Sequence, residues 1–186
     1  MDELQRIRKL YKLKSVYRDS SVGNRKESSA EHSWSCLMLA DYFIEKMKLK
    51  IDRIKVYELL MYHDLVEIEA GDTPIHHEYK RALKKEAESK ASEKLKEEIP
   101  KELKQKYVGL FNEFEECRTK EAKFAKAIDK LDATIHEMDC KEDWKGWTEK
   151  MLRKYNDDII GKFPKMKELN EKVIKILIRE GYFMQD

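Results

Sequence analysis

Apolar side chains recur in this sequence at steps of three and four residues over most of its length, a period that suits helices and fits strands poorly. The clearest case lies between Thr119 and Met138, where Phe124, Ile128, Leu131 and Ile135 form one stripe and Asp129, Asp132 and His136 line the adjacent one. Leu4, Ile7, Leu10, Tyr11 and Leu13 repeat the pattern in a shorter segment, and Val56, Leu59, Leu60, His63 and Glu67 repeat it again. Only 6 glycines and 3 prolines punctuate 186 residues. Few stretches alternate apolar and polar residues, so strands have little support. The expected class is all-α, a compact helical bundle forming a single domain over residues 1–186, because a chain of this length supports one well-cored unit and not two.

Local signals place the helix ends. Asp19-Ser20-Ser21-Val22-Gly23-Asn24 is rich in turn formers and reads as a loop. Ser28 with Glu31 three residues later is a capping box, which predicts a helix starting just before His32 and running to about Met47. Asp52 can cap the next helix. Gly71-Asp72-Thr73-Pro74 stops it, since glycine permits a left-handed cap and proline restricts the residue before it. A Lys-, Glu- and Ala-rich helix is expected from about His77 to Glu98, broken by Ile99-Pro100. Helices over Leu103–Phe114 and Thr119–Met138 follow, then a turn region with Trp144, Gly146 and Trp147, then a last helix from about Phe163 to Glu180.

Charge narrows the partners. The 39 basic and 37 acidic residues are interspersed, the pattern of solvated helix faces, which argues against a nucleic acid polymer as ligand. No apolar run approaches a bilayer span, and Met1-Asp2-Glu3-Leu4 has no signal-peptide pattern. A soluble, cytoplasmic protein with no membrane partner is expected. Cys36, Cys117 and Cys140 form no Cys-x-x-Cys pair and stand apart from the histidine motifs, which speaks against disulfides and a closed structural zinc site.

Those motifs carry the chemistry. His32 opens one helix, His63-Asp64 ends the next and Asp129 sits midway along a third, each where an inward-facing stripe would bury it. Buried polar groups are costly without compensation, and one bound cation compensates all four. Two imidazoles and two carboxylates suit a single divalent Mn, Co, Fe, Ni, Mg or Zn ion and leave octahedral positions open for water and a substrate oxygen, which points to catalysis. Glu67, four residues after His63, shares its helix face, so its carboxylate can reach the edge of such a site and orient or deprotonate water. Arg18 and Arg25 are candidates for holding a phosphate, because guanidinium presents a planar fork of donors. Trp34 is expected in the core, and His76 and His77 as exposed loop residues.

Four segments in this order, Arg25-Lys26-Glu27-Ser28-Ser29-Ala30-Glu31-His32-Ser33-Trp34, His63-Asp64-Leu65-Val66-Glu67, Gly71-Asp72-Thr73-Pro74 and residues 121–131, resemble the HD-domain hydrolases related to 5′-deoxynucleotidases. The match runs from about Tyr17 to Met138, and residues 139–186 are expected to pack on that part. The resemblance implies an HD-domain bundle with a metal site between helices, and His32, His63, Asp64 and Asp129 as the metal ligands. It implies Glu67 beside the reacting water, with Asp72 as a second acidic residue at the pocket. It also implies a phosphomonoester hydrolase for small nucleotides, (deoxy)nucleoside 5′-monophosphates foremost, working as a homodimer; the aromatic segment around Trp144 and Trp147 is a candidate contact. The deoxynucleotidases carry an Arg-Trp pair where this chain has Tyr17-Arg18 and no nearby tryptophan, so the match does not extend to sugar selection. Ile68 after Glu67 departs from the guanosine tetraphosphate hydrolases, and the Gly-Tyr-Pro segment of one class of cyclic-dinucleotide phosphodiesterases is missing. The alternatives are a nucleoside triphosphate or cyclic-nucleotide hydrolase and a non-catalytic nucleotide-sensing module.

Overall fold

The computed structural model describes residues 1–72 and 78–184, with side chains for 1–72 and 86–184. Helix α1 (Glu3–Leu10) passes through a 3-10 turn into a hairpin of β1 (Tyr17–Val22) and β2 (Arg25–Ser28). The rest is helical: α2 (Ser29–Met47), α3 (Arg53–Tyr62), the one-turn α4 (Glu67–Ala70), α5 (Glu78–Glu98), α6 (Lys101–Glu116), α7 (Lys120–His136), α8 (Glu149–Ile160) and α9 (Pro164–Arg179). The all-α expectation holds, the hairpin being a small addition. Thr73, Pro74, His76 and His77 lie outside the described residues.

The helix ends follow side-chain chemistry. Ser28 accepts from the Glu31 amide while the Glu31 carboxylate accepts from the Ser28 amide at 2.9 Å, the capping box that starts α2. Asp52, Thr119 and Thr148 cap α3, α7 and α8, each accepting from the amide three residues on. Pro100 is the N-cap of α6 and separates it from α5, as expected of a residue with no amide proton for the ladder. Gly71, at φ 71°, closes α4.

Helix α7 is the centre of the packing and touches α2, α3, α6, α8 and α9. Of its predicted stripe, Phe124, Ile128 and Leu131 are fully buried in one core with Phe43 of α2, Leu59 and Leu60 of α3, and Tyr107 and Phe114 of α6, while Ile135 is partly buried at its edge. A smaller cluster of Trp144, Leu152, Val173, Ile174 and Leu177 holds the C-terminal helices together. Trp144 is 1% exposed, so its ring belongs to the core, and Trp147 packs partly buried against the same cluster.

Three further differences matter for the site. Tyr17–Val22 is a strand where a loop was expected, because Arg18-Asp19-Ser20-Ser21 has no apolar alternation to reveal it. Tertiary bonds fix it instead: the Ser21 amide and hydroxyl donate to Asp143 at 2.7 and 2.8 Å, and the Ser29 amide donates to the Val16 carbonyl at 2.9 Å. Second, α3 stops at Tyr62, and the next amide bonds step three residues, Leu65 to Tyr62 at 3.2 Å and Glu67 to Asp64 at 3.0 Å. His63 and Glu67 therefore do not share one continuous α-helix. Third, α8 fills a stretch with no helix expectation, although Thr148 as cap and Met151, Leu152, Tyr155, Ile159 and Ile160 at helical spacing were its local signal.

Short helix α4 is held from outside by a buried ion cluster. Lys9 pairs with Glu69 and Glu98, and Lys94 pairs with Glu69 from the solvent side. Lys9→Ala is expected to cost about 2–3 kcal/mol, below the ~3–5 for stranding a buried charge, because Lys94 still faces Glu69. The partners hold the Glu69 carboxyl below its ordinary value of 4.5, against the upward push of burial. A depressed carboxylate contributes stability that is complete above that value and fades as pH falls through the folded one. Urea titrations at pH 7 and pH 4 should show the difference between wild type and variant shrinking in acid.

Candidate metal centre

Three helices converge on one point. His32 comes from the first turn of α2, His63 is the residue that ends α3, and Asp129 comes from the middle of α7. All three offer donor atoms within 4.8 Å of one another. His32 Nε2 is 3.2 Å from Asp129 Oδ1, and His63 Nε2 is 3.1 Å from Asp64 Oδ1 and 3.9 Å from Asp129 Oδ1. The two imidazole centroids are 5.5 Å apart.

Backbone and side-chain bonds orient both rings. The Nδ1 of His63 donates to the Leu60 carbonyl at 2.7 Å, and the Nδ1 of His32 faces Asp132 Oδ2 at 3.0 Å, an oxygen that also accepts from the Ser35 hydroxyl at 2.7 Å. With Nδ1 engaged, each ring turns Nε2 toward the common point, the arrangement that presents a lone pair to a cation. His63 Nε2 and Asp64 Oδ2 are buried without a hydrogen-bond partner, and such orphaned acceptors facing one point fit a bound divalent ion.

The electrostatics agree. Burial pushes Asp64 up, but His63, His32 and Arg18 hold it far below the usual carboxylate range. Asp129 is likewise held well below, with His32, Lys130 and His63 overcoming burial. Burial and Arg18 push His32 down, yet Cys36, Asp129 and Asp132 leave it well above its ordinary value. Positive charge is favoured at this point.

Glu67 is buried and accepts from the Ser29 hydroxyl at 2.7 Å. Burial, with Asp64 and Asp72 adding to it, raises its carboxyl well above the ordinary range. Asp72 thus acts electrostatically on Glu67 and on Arg18, from the residue after the Gly71 turn. Arg18 reaches the cluster, with Nη1 3.6 Å from Asp64 Oδ2. Arg25 does not: it is exposed and pairs with Glu31, Nη1 to Oε2 at 2.9 Å. That pair is the main reason the Glu31 carboxyl falls to about 2.

Several neighbours escaped the sequence reading. Cys36, one turn after His32, puts its thiol 3.6 Å from His32 Nε2, so a cysteine does lie beside the motif; burial pushes that thiol up to about 12. His32, Cys36 and Asp132 form a second group with donor atoms in close reach. The i+4 spacing from His32 and the i+3 spacing from Asp129 were the available signals. Glu27 and Glu137 stand near Arg18, and burial lifts Glu137 to about 7. Trp34, expected in the core, is 66% exposed, since two helical steps from His32 turn it to the opposite side of α2.

An all-helical bundle with a buried His/Asp cluster at the meeting of three helices defines a class of metal-site folds. Comparison with known proteins places it more closely: a model of the HD domain matches residues 10–167, and the chain belongs to that family. It is 26% identical over 162 residues to the 5′-deoxynucleotidase HDDC2 of Dictyostelium discoideum, covering 82% of this chain and 85% of that protein. To the 5′-deoxynucleotidase HDDC2 of Xenopus laevis it is 29% identical over 116 residues, covering 62% and 56%. Among solved structures it is similar to a predicted metal-dependent phosphohydrolase from Magnetospirillum magnetotacticum MS-1, with TM-score 0.83, 29% identity and coverage of 98% and 94%.

Proposed function

We propose that this protein is a divalent-metal-dependent phosphomonoester hydrolase acting on small nucleotides, with (deoxy)nucleoside 5′-monophosphates as the favoured substrates. The observation that carries the reading is the pair of oriented histidines whose Nε2 atoms face Asp64 and Asp129, with Arg18 buried alongside. His32, His63, Asp64 and Asp129 would hold the ion. When bound, it supplies a Lewis acid for the phosphoryl oxygen and makes water more acidic.

The chain's own residues do the rest. Glu67, fixed by the Ser29 hydroxyl, accepts the proton of the attacking water. Asp72, which already raises the Glu67 carboxyl, assists by keeping that group a better base. Arg18 keeps its charge and turns guanidinium N–H groups to the phosphate oxygens as the ester oxygen leaves. Support for a nucleoside monophosphate comes from the two relatives named as 5′-deoxynucleotidases, and fold alone would serve other phosphoesters.

A phosphate-release screen over nucleoside mono-, di- and triphosphates with Mn²⁺, Co²⁺, Mg²⁺ and Zn²⁺ tests this. A monophosphate is expected to give the highest kcat/KM. Faster turnover of dATP or dGTP moves the protein to the triphosphate hydrolases, and no release from any nucleotide supports a nucleotide-sensing module instead.

A further inference from the structure

The register of the hairpin is irregular beside the metal centre. Tyr17 pairs with Ser28 and Ser21 with Lys26, so Arg18, Asp19 and Ser20 on β1 stand opposite the single residue Glu27 on β2. Such bulges bend a strand and re-aim its side chains. Here both ends of the bulge turn inward onto that one carboxylate. Arg18 Nε lies 3.1 Å from Glu27 Oε2, an ion pair without the alignment of a hydrogen bond, and the Ser20 hydroxyl donates to the same oxygen at 3.2 Å. His136 Nε2, at the end of α7, is 3.8 Å from the other oxygen. Glu27 is 3% exposed and is 37 residues of chain from the Asp64 that Arg18 faces on its other side.

We propose that Glu27 is a positioning residue that anchors Arg18 by its Nε edge and so keeps the Nη edge free for a phosphate; this rests on the function proposed above. The physical problem it solves is visible in the surroundings of Arg18. Asp64, Glu67, Asp129 and Asp72 all attract the guanidinium. Without an opposing pull it would close onto Asp64, covering a carboxylate needed by the ion and spending its fork on the protein itself. Instead Nη1 stops 3.6 Å from Asp64 Oδ2, beyond the ~2.7–2.9 Å of a direct charged hydrogen bond. Guanidinium can serve two masters in this way because its donors lie on separate edges of a rigid plane.

The test uses metal-loaded full-length protein and reads inorganic phosphate binding by calorimetry, KM and kcat for the best monophosphate, and Tm. Glu27→Gln keeps size and an oxygen but removes the charge. It is expected to weaken phosphate binding and raise KM by about 10- to 100-fold, as when a buried ion pair that holds a phosphate ligand in place loses one charge, with a smaller change in kcat. Glu27→Asp, which retains the charge one bond further back, should show a smaller loss and serves if the glutamine variant does not fold. In an Arg18→Ala background, Glu27→Gln should cost nothing further in phosphate affinity, because its effect passes through Arg18. An equal loss in both backgrounds, or unchanged phosphate affinity in both Glu27 variants, overturns the proposal. If Arg18→Ala itself leaves phosphate affinity intact, the phosphate role of Arg18 fails and this inference fails with it; a loss in Arg18→Ala alone sinks only the inference.

Discussion

Glu67→Gln is expected to lower kcat by on the order of 10²–10⁴-fold, the usual contribution of a general base, while leaving metal content at the wild-type level. The amide has nearly the shape of the carboxylate and can still take the 2.7 Å hydrogen bond from the Ser29 hydroxyl. It cannot take a proton. The pH profile gives an independent reading: a base must be ionised to act, so wild-type kcat falls as acid protonates Glu67. The variant should lose this acidic limb. Loss of metal from Glu67→Gln would make Glu67 a ligand, and full activity would pass the base role to Asp72. Stoichiometry and kcat measured on one preparation distinguish these results.

His63→Ala and Asp129→Ala are expected to abolish stoichiometric metal binding and activity together. His63 Nε2 is buried without a hydrogen-bond partner, and its ring is locked by the Leu60 carbonyl with Nε2 toward the carboxylates of Asp64 and Asp129. Asp129 bridges the two histidines, 3.2 Å from one and 3.9 Å from the other. Its removal leaves His32 between Asp132 and Cys36 only. In the wild type, added metal should raise Tm, because an ion that binds only the folded chain stabilises it by mass action. That increment should vanish in both variants. Elemental analysis with thermal unfolding decides it, and full occupancy in either variant would disprove the four-ligand set.

The two residue groups behind these predictions were not equally legible. His32, His63, Asp64 and Asp129 could be picked out because each interrupts or ends an apolar stripe, and a stripe position determines which way a side chain faces. Arg18 and Arg25 could not be told apart, since both precede His32 in a segment without apolar alternation. The bulge opposite Glu27 turns Arg18 inward, and the capping box at Ser28 leaves Glu31 outside as a partner for Arg25. Asp132 and Cys36 had a usable signal in their spacing, but their meeting at His32 needed α2 and α7 to be packed.

By itself the sequence determined most of the helices, α8 excepted, and many of their ends, because a helix is specified by bonds four residues apart, by caps such as Ser28, Asp52 and Thr119, and by breakers such as Pro100. It also indicated that His32 and His63 would be buried. Only the tertiary structure decided that the helix before His63 does not run on through Glu67, that a polar segment forms β1, and that His32 meets Asp129 across 97 residues of chain. Those outcomes depend on how α2, α3 and α7 pack around Phe43, Leu60 and Ile128, and on hydrogen bonds such as Ser21 to Asp143 that span 122 residues. No local window of sequence contains both ends of such contacts, and the position of a donor atom in a site is set by them.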